Sequence, residues 1–229
     1  VTKGWLIPMM ELMDSQPDIA AVMPKIRQYT QRDRFEYAGA AGGYIDKFGY
    51  PFCRGRILTE IETDYGQYDD TREVFWASGA CMFLRSSAYS KTGGLDGDFF
   101  AHMEEIDLCW RLRRLGYSIC VCPDSVVYHV GGGTLPNDNP RKLYYNYRNS
   151  LYLLFKNVDR IGYLNVLLPR MLLDAVSAWA YLVQGKFSFF ASVVRAHIRF
   201  YLSFRMLINK RSILNRIIAK NKVSHVYGK

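Results

Sequence analysis

Gly93–Gly116, GGLDGDFFAHMEEIDLCWRLRRLG, is the stretch on which the reading of this chain turns. Glu104, Glu105 and Asp107 stand just ahead of Leu108, Leu112 and Leu115, whose i, i+4, i+7 spacing predicts an amphipathic helix closed by Gly116. Acidic side chains in a first turn gain from the positive end of the helix dipole, so the bland reading is helix capping. Glu104 and Asp107, however, are i, i+3 neighbours, which leaves Glu105 between them pointing elsewhere and free for another task. The glycine-rich run before it ends in Phe99-Phe100, a composition suited to a pocket wall.

Downstream, Tyr117–Cys122 and Val126–Val130 predict two strands separated by Pro123-Asp124-Ser125. His129 closes the second, ahead of Gly131, Gly132, Gly133 and Thr134; a histidine at a strand end is either hydrogen-bonded or a ligand. Upstream, residues 74–85 predict a buried strand pair or a strand bent at Gly79, where Gly79 and Ala80 would let the backbone approach a ligand. Trp76 could stack on a sugar ring or sit in the core. Residues 27–73 are polar and rich in glycine, and are expected to be an irregular insertion in which Tyr37, Tyr44, Phe48 and Tyr50 could line a cleft. The N-terminus predicts a helix over 4–16, with Pro8 near its first turn, and a strand from Ile19 that ends at Pro24. Residues 140–157 predict a helix with Leu143, Tyr147, Leu151 and Leu154 as its core stripe. Arg141 and Arg148 share another face, either to meet a diphosphate or as a solvated basic surface.

Charge separates the chain into two parts. All 21 acids precede residue 175, against 20 lysines and arginines there; residues 175–229 hold ten basic residues and no acid. A basic appendage on a neutral body suggests nucleic acid or an anionic membrane. Leu164–Val183 is long enough to cross a bilayer, but Arg170 and Asp174 lie at its centre and Pro169 interrupts it. Spaced i, i+4, those two charges can pair. In 188–203 the 100° periodicity puts Ser188, Ser192, Arg195, Arg199 and Ser203 on one face and Phe189, Val193, Phe200 and Phe204 opposite. That describes a membrane-surface helix, with Lys210, Arg211, Arg216, Lys220 and Lys222 adding attraction to anionic lipid. The continuous apolar face disfavours nucleic acid. Five cysteines without a Cys-x-x-Cys pair predict reduced thiols.

The central stretch also resembles the acidic signature of the family 2 glycosyltransferases, G-G-[FL]-D-x-x-[FY]-F-x-x-x-E-[DE]-x-D-L-x-x-R-x-x-x-x-G-[YF], and every element of it is present from Gly93 to Tyr117. The likeness is to the rhamnosyltransferase-like enzymes of bacterial cell-surface polysaccharides, over about 1–160. It implies an α/β fold, namely part of a GT-A three-layer α/β/α domain over 1–158, followed by amphipathic helices over 159–229 that associate with the membrane. It implies inverting transfer from a nucleotide-sugar donor to a glycan or lipid-linked acceptor. Glu105 stands where the family has its catalytic aspartate, with Glu104 and Asp107 beside it. His129, Arg141 and Arg148 correspond to the donor diphosphate side, and Trp76, Gly79, Ala80 and Asp96 to the acceptor side. A Mg2+ or Mn2+ ion is implied, with His129 near it; its main ligands would come from an Asp-x-Asp motif expected upstream of Val1. The expected location is the cytoplasmic face of the cell membrane, peripheral or monotopic. A non-catalytic membrane-bound scaffold is the alternative.

Overall fold

The computed structural model describes residues 1–131, 139–159 and 162–226, with side chains to residue 221. The chain is a mixed α/β protein. Helix α1 (Ile7–Ser15) leads into strand β1 (Ile19–Gln28), which lies parallel to β8 (Ser118–His129). Short strands β6 (Arg72–Glu73) and β7 (Phe83–Leu84) pair antiparallel at the outer edges, giving the order β6-β8-β1-β7. A central strand flanked on both sides reads as a continuous apolar run, and Ile19–Met23 is fully buried. Met9 and Met13 of α1 pack onto Ile19, Val22, Cys120 and Cys122.

Two expected boundaries are corrected here. Strand β1 does not stop at Pro24, and residues 118–129 form one strand rather than two. Both changes have one cause: Pro24 pairs with Cys122 and Lys25 with Val126, so Pro123, Asp124 and Ser125 loop out as a bulge beside the proline. A bulge accommodates a residue with no N–H to donate. The 27–73 insertion is also more ordered than expected. It holds a second sheet of β2 (Gly43–Ile45), β3 (Pro51–Cys53), β4 (Arg56–Ile57) and β5 (Glu60–Ile61), antiparallel in chain order. Buried Lys25 ties it down through Asp64 (2.9 Å) and Asp69. Residues 74–85 supply only β7 as strand; Val74 and Trp76–Ser78 are buried and Phe75 half-buried in an irregular segment.

Helix α2 (Ser86–Thr92), a 3-10 turn at Gly97–Phe99 and helix α3 (Glu104–Arg114) follow. Leu108, Leu112 and Leu115 are buried as their spacing predicts, and Gly116 takes the left-handed φ of 90° that ends many helices. Four helices follow among the described residues: α4 (Pro140–Asn157), α5 (Tyr163–Val183), α6 (Phe187–Leu202) and α7 (Phe204–Val226). The described residues group into two compact units. One comprises those of Val1–Asp46, Pro51–Leu95 and Leu108–Gly133; the other comprises those of Lys47–Tyr50, Asp96–Asp107 and Thr134–Lys229.

In the second unit, α4 packs against α5, α6 and α7. Leu151 and Leu154 are buried, while Leu143 and Tyr147 are half-buried. The faces of α6 differ from those the periodicity predicts. Ser192 turns inward with Val193, Ala196 and Phe200, and Ser203, which caps the helix, is buried too. Tyr152 donates to Ser203 Oγ at 2.6 Å, and Ser192 Oγ donates back to Ser188 O at 2.9 Å. Satisfied in this way, small hydroxyls let two helices approach closely without an unpaired polar group between them. On α5, Arg170 and Asp174 are buried and paired at 2.8 Å.

Candidate active site

The residues from Asp96 to Asp107 form the chemically dense part of the second unit. Their backbone is unusual: Phe100, His102 and Met103 have φ of 66°, 69° and 71°, a region that non-glycine residues rarely occupy. Such strain persists only where the surroundings over-determine it, and it concentrates at functional sites. Here helix α4 supplies the surroundings. The Asn149 amide nitrogen donates to the carbonyls of Phe99 (2.9 Å), Ala101 (2.7 Å) and His102 (2.8 Å). Two N–H groups serve three acceptors, so at least one bond is shared. Arg148 Nη2 adds bonds to the Asp98 and Phe99 carbonyls, both at 2.9 Å.

Two lysines hold the aspartates at the ends of this loop. Lys156 of α4, itself buried, reaches Asp96 Oδ2 at 2.6 Å and Asp107 Oδ1 at 2.9 Å. Asn157 donates to Asp107 at 2.8 Å. Lys210 of α7 pairs with both Asp96 and Asp98. Burial pushes the Asp96 carboxyl up. The Lys156 charge, with hydrogen bonds from Lys156, Lys210 and the Asp98 N–H, outweighs that and holds it at about 2.

Glu104 and Glu105 receive no such help. The Oε2 atom of each is buried and has no hydrogen-bond partner. Burial raises the Glu104 carboxyl. Burial, followed by the negative charge of Glu104, pushes Glu105 up to about 7. His102 Nε2, also buried and unpartnered, lies in the same loop; burial and then the Lys142 charge lower the His102 pKa. A carboxyl poised near neutrality is half in its basic form at physiological pH, the condition under which a general base works best.

The other predicted site residues divide between the units. Arg141 is exposed, with its guanidinium over the rings of Phe100 (5.8 Å) and Tyr145 (5.7 Å). Arg148 is committed to loop carbonyls. In the first unit, Trp76 is buried and donates to Tyr44 O at 2.9 Å. Its ring covers Gly43 so closely that a Cβ there would lie 2.0 Å from Trp76 Cε2. Packing accounts for this residue. Gly79 and Ala80 form an exposed turn, anchored by Ser78 Oγ, which accepts from Ala80 N at 3.2 Å and donates to Ala38 O at 2.6 Å. His129 Nδ1 lies 3.6 Å from Glu36 Oε1. Gly132, Gly133 and Thr134 lie outside the described residues, as does the Lys222 side chain. All five cysteines are free thiols.

Sequence reading missed the loop's support. The sequence pattern assigns no role to Asn149, Lys156 and Asn157, and gives Lys210 only as a contact to anionic lipid. The model of the family described as glycosyltransferase like family 2 matches residues 12–146. The chain belongs to that family. Its glycosyltransferase 2-like domain is consistent with a GT-A-like arrangement followed by C-terminal helices. Similar proteins point the same way. The low-salt glycan biosynthesis hexosyltransferase Agl10 of Haloferax volcanii is 31% identical over 64% of this chain and 52% of its own length. The N-acetylglucosaminyl-diphospho-decaprenol L-rhamnosyltransferase of Mycobacterium tuberculosis is 40% identical over 25% of this chain and 19% of its own. The rhamnosyltransferase WbbL of Escherichia coli is 33% identical over 34% and 29%. The chain thus spans about half the length, or less, of these relatives.

Proposed function

We propose that this family 2 domain takes part in glycosyl transfer from a nucleotide-sugar donor to a hydroxyl of a glycan or lipid-linked acceptor in cell-envelope glycan synthesis. Glu105 acts as the general base. The observation that carries this reading is the half-buried Glu105 carboxyl, whose Oε2 is buried without a hydrogen-bond partner and which is held at about 7 at the end of a strained loop. The acceptor hydroxyl gives its proton to Glu105 as its oxygen attacks the anomeric carbon, and the nucleoside diphosphate leaves from the opposite face, inverting that carbon. Arg141, exposed beside Phe100, is the cation available to the departing diphosphate.

The lipid-linked acceptor follows the name of the mycobacterial relative, a transferase onto a diphospho-decaprenol, and is carried over by similarity alone. A Mg2+ or Mn2+ ion, expected by resemblance, finds no site among the described residues, where no three His, Cys, Asp or Glu side chains are grouped to hold a metal ion. His129 and Glu36 make two, and no step is derived through a metal. The proposal keeps the location on the cytoplasmic face of the cell membrane, peripheral or monotopic.

The test uses the full-length natural protein. Glu105→Gln should lower turnover about 10²–10⁴-fold while donor binding persists. Near-normal turnover in that variant would pass the role to Glu104. Donor binding with no turnover by the unmodified protein would instead favour a scaffold.

A further inference from the structure

Helix α5 is built inside out. Leu164, Leu168, Leu172, Val176, Trp179 and Val183 are each 53–71% exposed, and at 100° per residue they fall within an arc of about 120°. Its inward face carries Leu167, Arg170, Asp174 and Ala178. Asp174 there takes Arg170 at 2.8 Å and His197 Nε2 of α6 at 3.2 Å, and the Arg170 guanidinium lies 3.9 Å from the Tyr50 ring centre. A helix facing water has the reverse arrangement. The apolar surface continues onto α6 through Ile198, Tyr201 and Leu202, at 53–73% exposure. A contiguous apolar face of this extent marks a surface that meets something other than water.

We infer that the outer face of α5 and α6 is a seat for the lipid bilayer, with α5 lying lengthwise in the interface and its six apolar side chains in the acyl region. This deepens the membrane location proposed above and rests on it. Charge favours lipid over a second copy of the chain. Residues 175–229 carry ten basic groups and no acid, so self-pairing brings like charges together, whereas an anionic leaflet complements them. Exposed Arg195, Arg199 and Arg205 flank the apolar surface at the level of the headgroups. By length and composition α5 could also cross a bilayer. Yet α6 packs along it, and crossing would carry exposed Arg195 and Arg199 into hydrocarbon. Lying flat keeps both in the headgroup layer.

Trp179, 66% exposed on the seat, serves as the probe. The full chain should float with phosphatidylcholine vesicles containing phosphatidylglycerol, more weakly without it, and only partly detach in high salt. Brominated lipids should quench Trp179 more strongly when labelled near the headgroup than at the chain ends, and Trp179→Phe should abolish the difference. Leu172→Glu with Val176→Glu, both at exposed positions, should weaken binding about tenfold or more with an unchanged thermal melt. Undiminished binding of that double variant overturns the seat but leaves the membrane location standing. Strongest quenching from the chain ends overturns the flat orientation in favour of a span. No flotation at all overturns both, and concentration-dependent self-association that the double variant abolishes assigns the face to a second copy.

Discussion

Asp96 and Asp107 at one place, and Glu104 and Glu105 at another, are carboxylates of a single twelve-residue segment that meet opposite surroundings. The aspartates are paired with buried Lys156, Lys210 completing Asp96, and those cations hold the Asp96 carboxyl at about 2. The glutamates are left without a cation, and burial raises both. Neighbours thus decide which acid is held in an ion pair and which is raised toward neutrality. The segment needs both kinds, because the paired acids fix the loop from which the unpaired ones project.

The largest break in this contrast should come from Lys156→Met, which leaves Asp96 and Asp107 buried without their shared cation. Loss of about 3–5 kcal/mol at neutral pH is expected by chemical denaturation, since removing one partner strands the other charges. The loss should shrink in acid. Asp96 has a folded pKa of about 2, below its ordinary 3.8, so its stabilising contribution is full above 3.8 and disappears as pH falls through 2. A penalty equally large at pH 2 would show that the packing of Lys156 matters, and not its charge.

Glu105→Gln should do the opposite to stability. A carboxyl raised from 4.5 to about 7 is fully compatible with folding below 4.5 and costs stability as pH rises through 7. The variant should therefore melt a few degrees higher than the unmodified protein at pH 8 and match it near pH 4, about 2–4 °C corresponding to 1 kcal/mol in a chain of this size. Equal melting at pH 8 would mean that Glu105 is solvated. The smallest effect belongs to Lys210→Ala, since Lys210 is 25% and Asp98 52% exposed. About 1 kcal/mol or less is expected at low ionic strength, fading in high salt; a salt-independent loss would make Lys210 a buried strut.

The sequence made the local features legible and hid the distant ones. Helix α3, its leucine stripe and its end at Gly116 depend on spacing within one segment, and the acidic signature sits in that segment. The partners of the loop lie 47–60 residues away on α4, where Lys156 and Asn149 look like surface residues of a basic helix. Pro24 reads as a stop because the pattern contains nothing of the bulge that opposes it. Ser192 and Ser203 read as solvated because hydropathy prices a serine alone, without the carbonyl or tyrosine that satisfies it. The inside-out character of α5 shows only once Arg170 and Asp174 have His197 and Tyr50 beside them.

The clamp on the acidic loop also sets an order of events during synthesis. Asn149, which ties three of the loop's carbonyls, emerges from the ribosome well after the loop itself, and Lys210 follows 61 residues later. At about 5–20 residues per second, that second interval alone lasts roughly 3–12 s. Throughout it the growing chain carries its acidic signature without the last of its fastenings. Glu104 and Glu105 take up their final setting only after Lys210 of α7 has emerged.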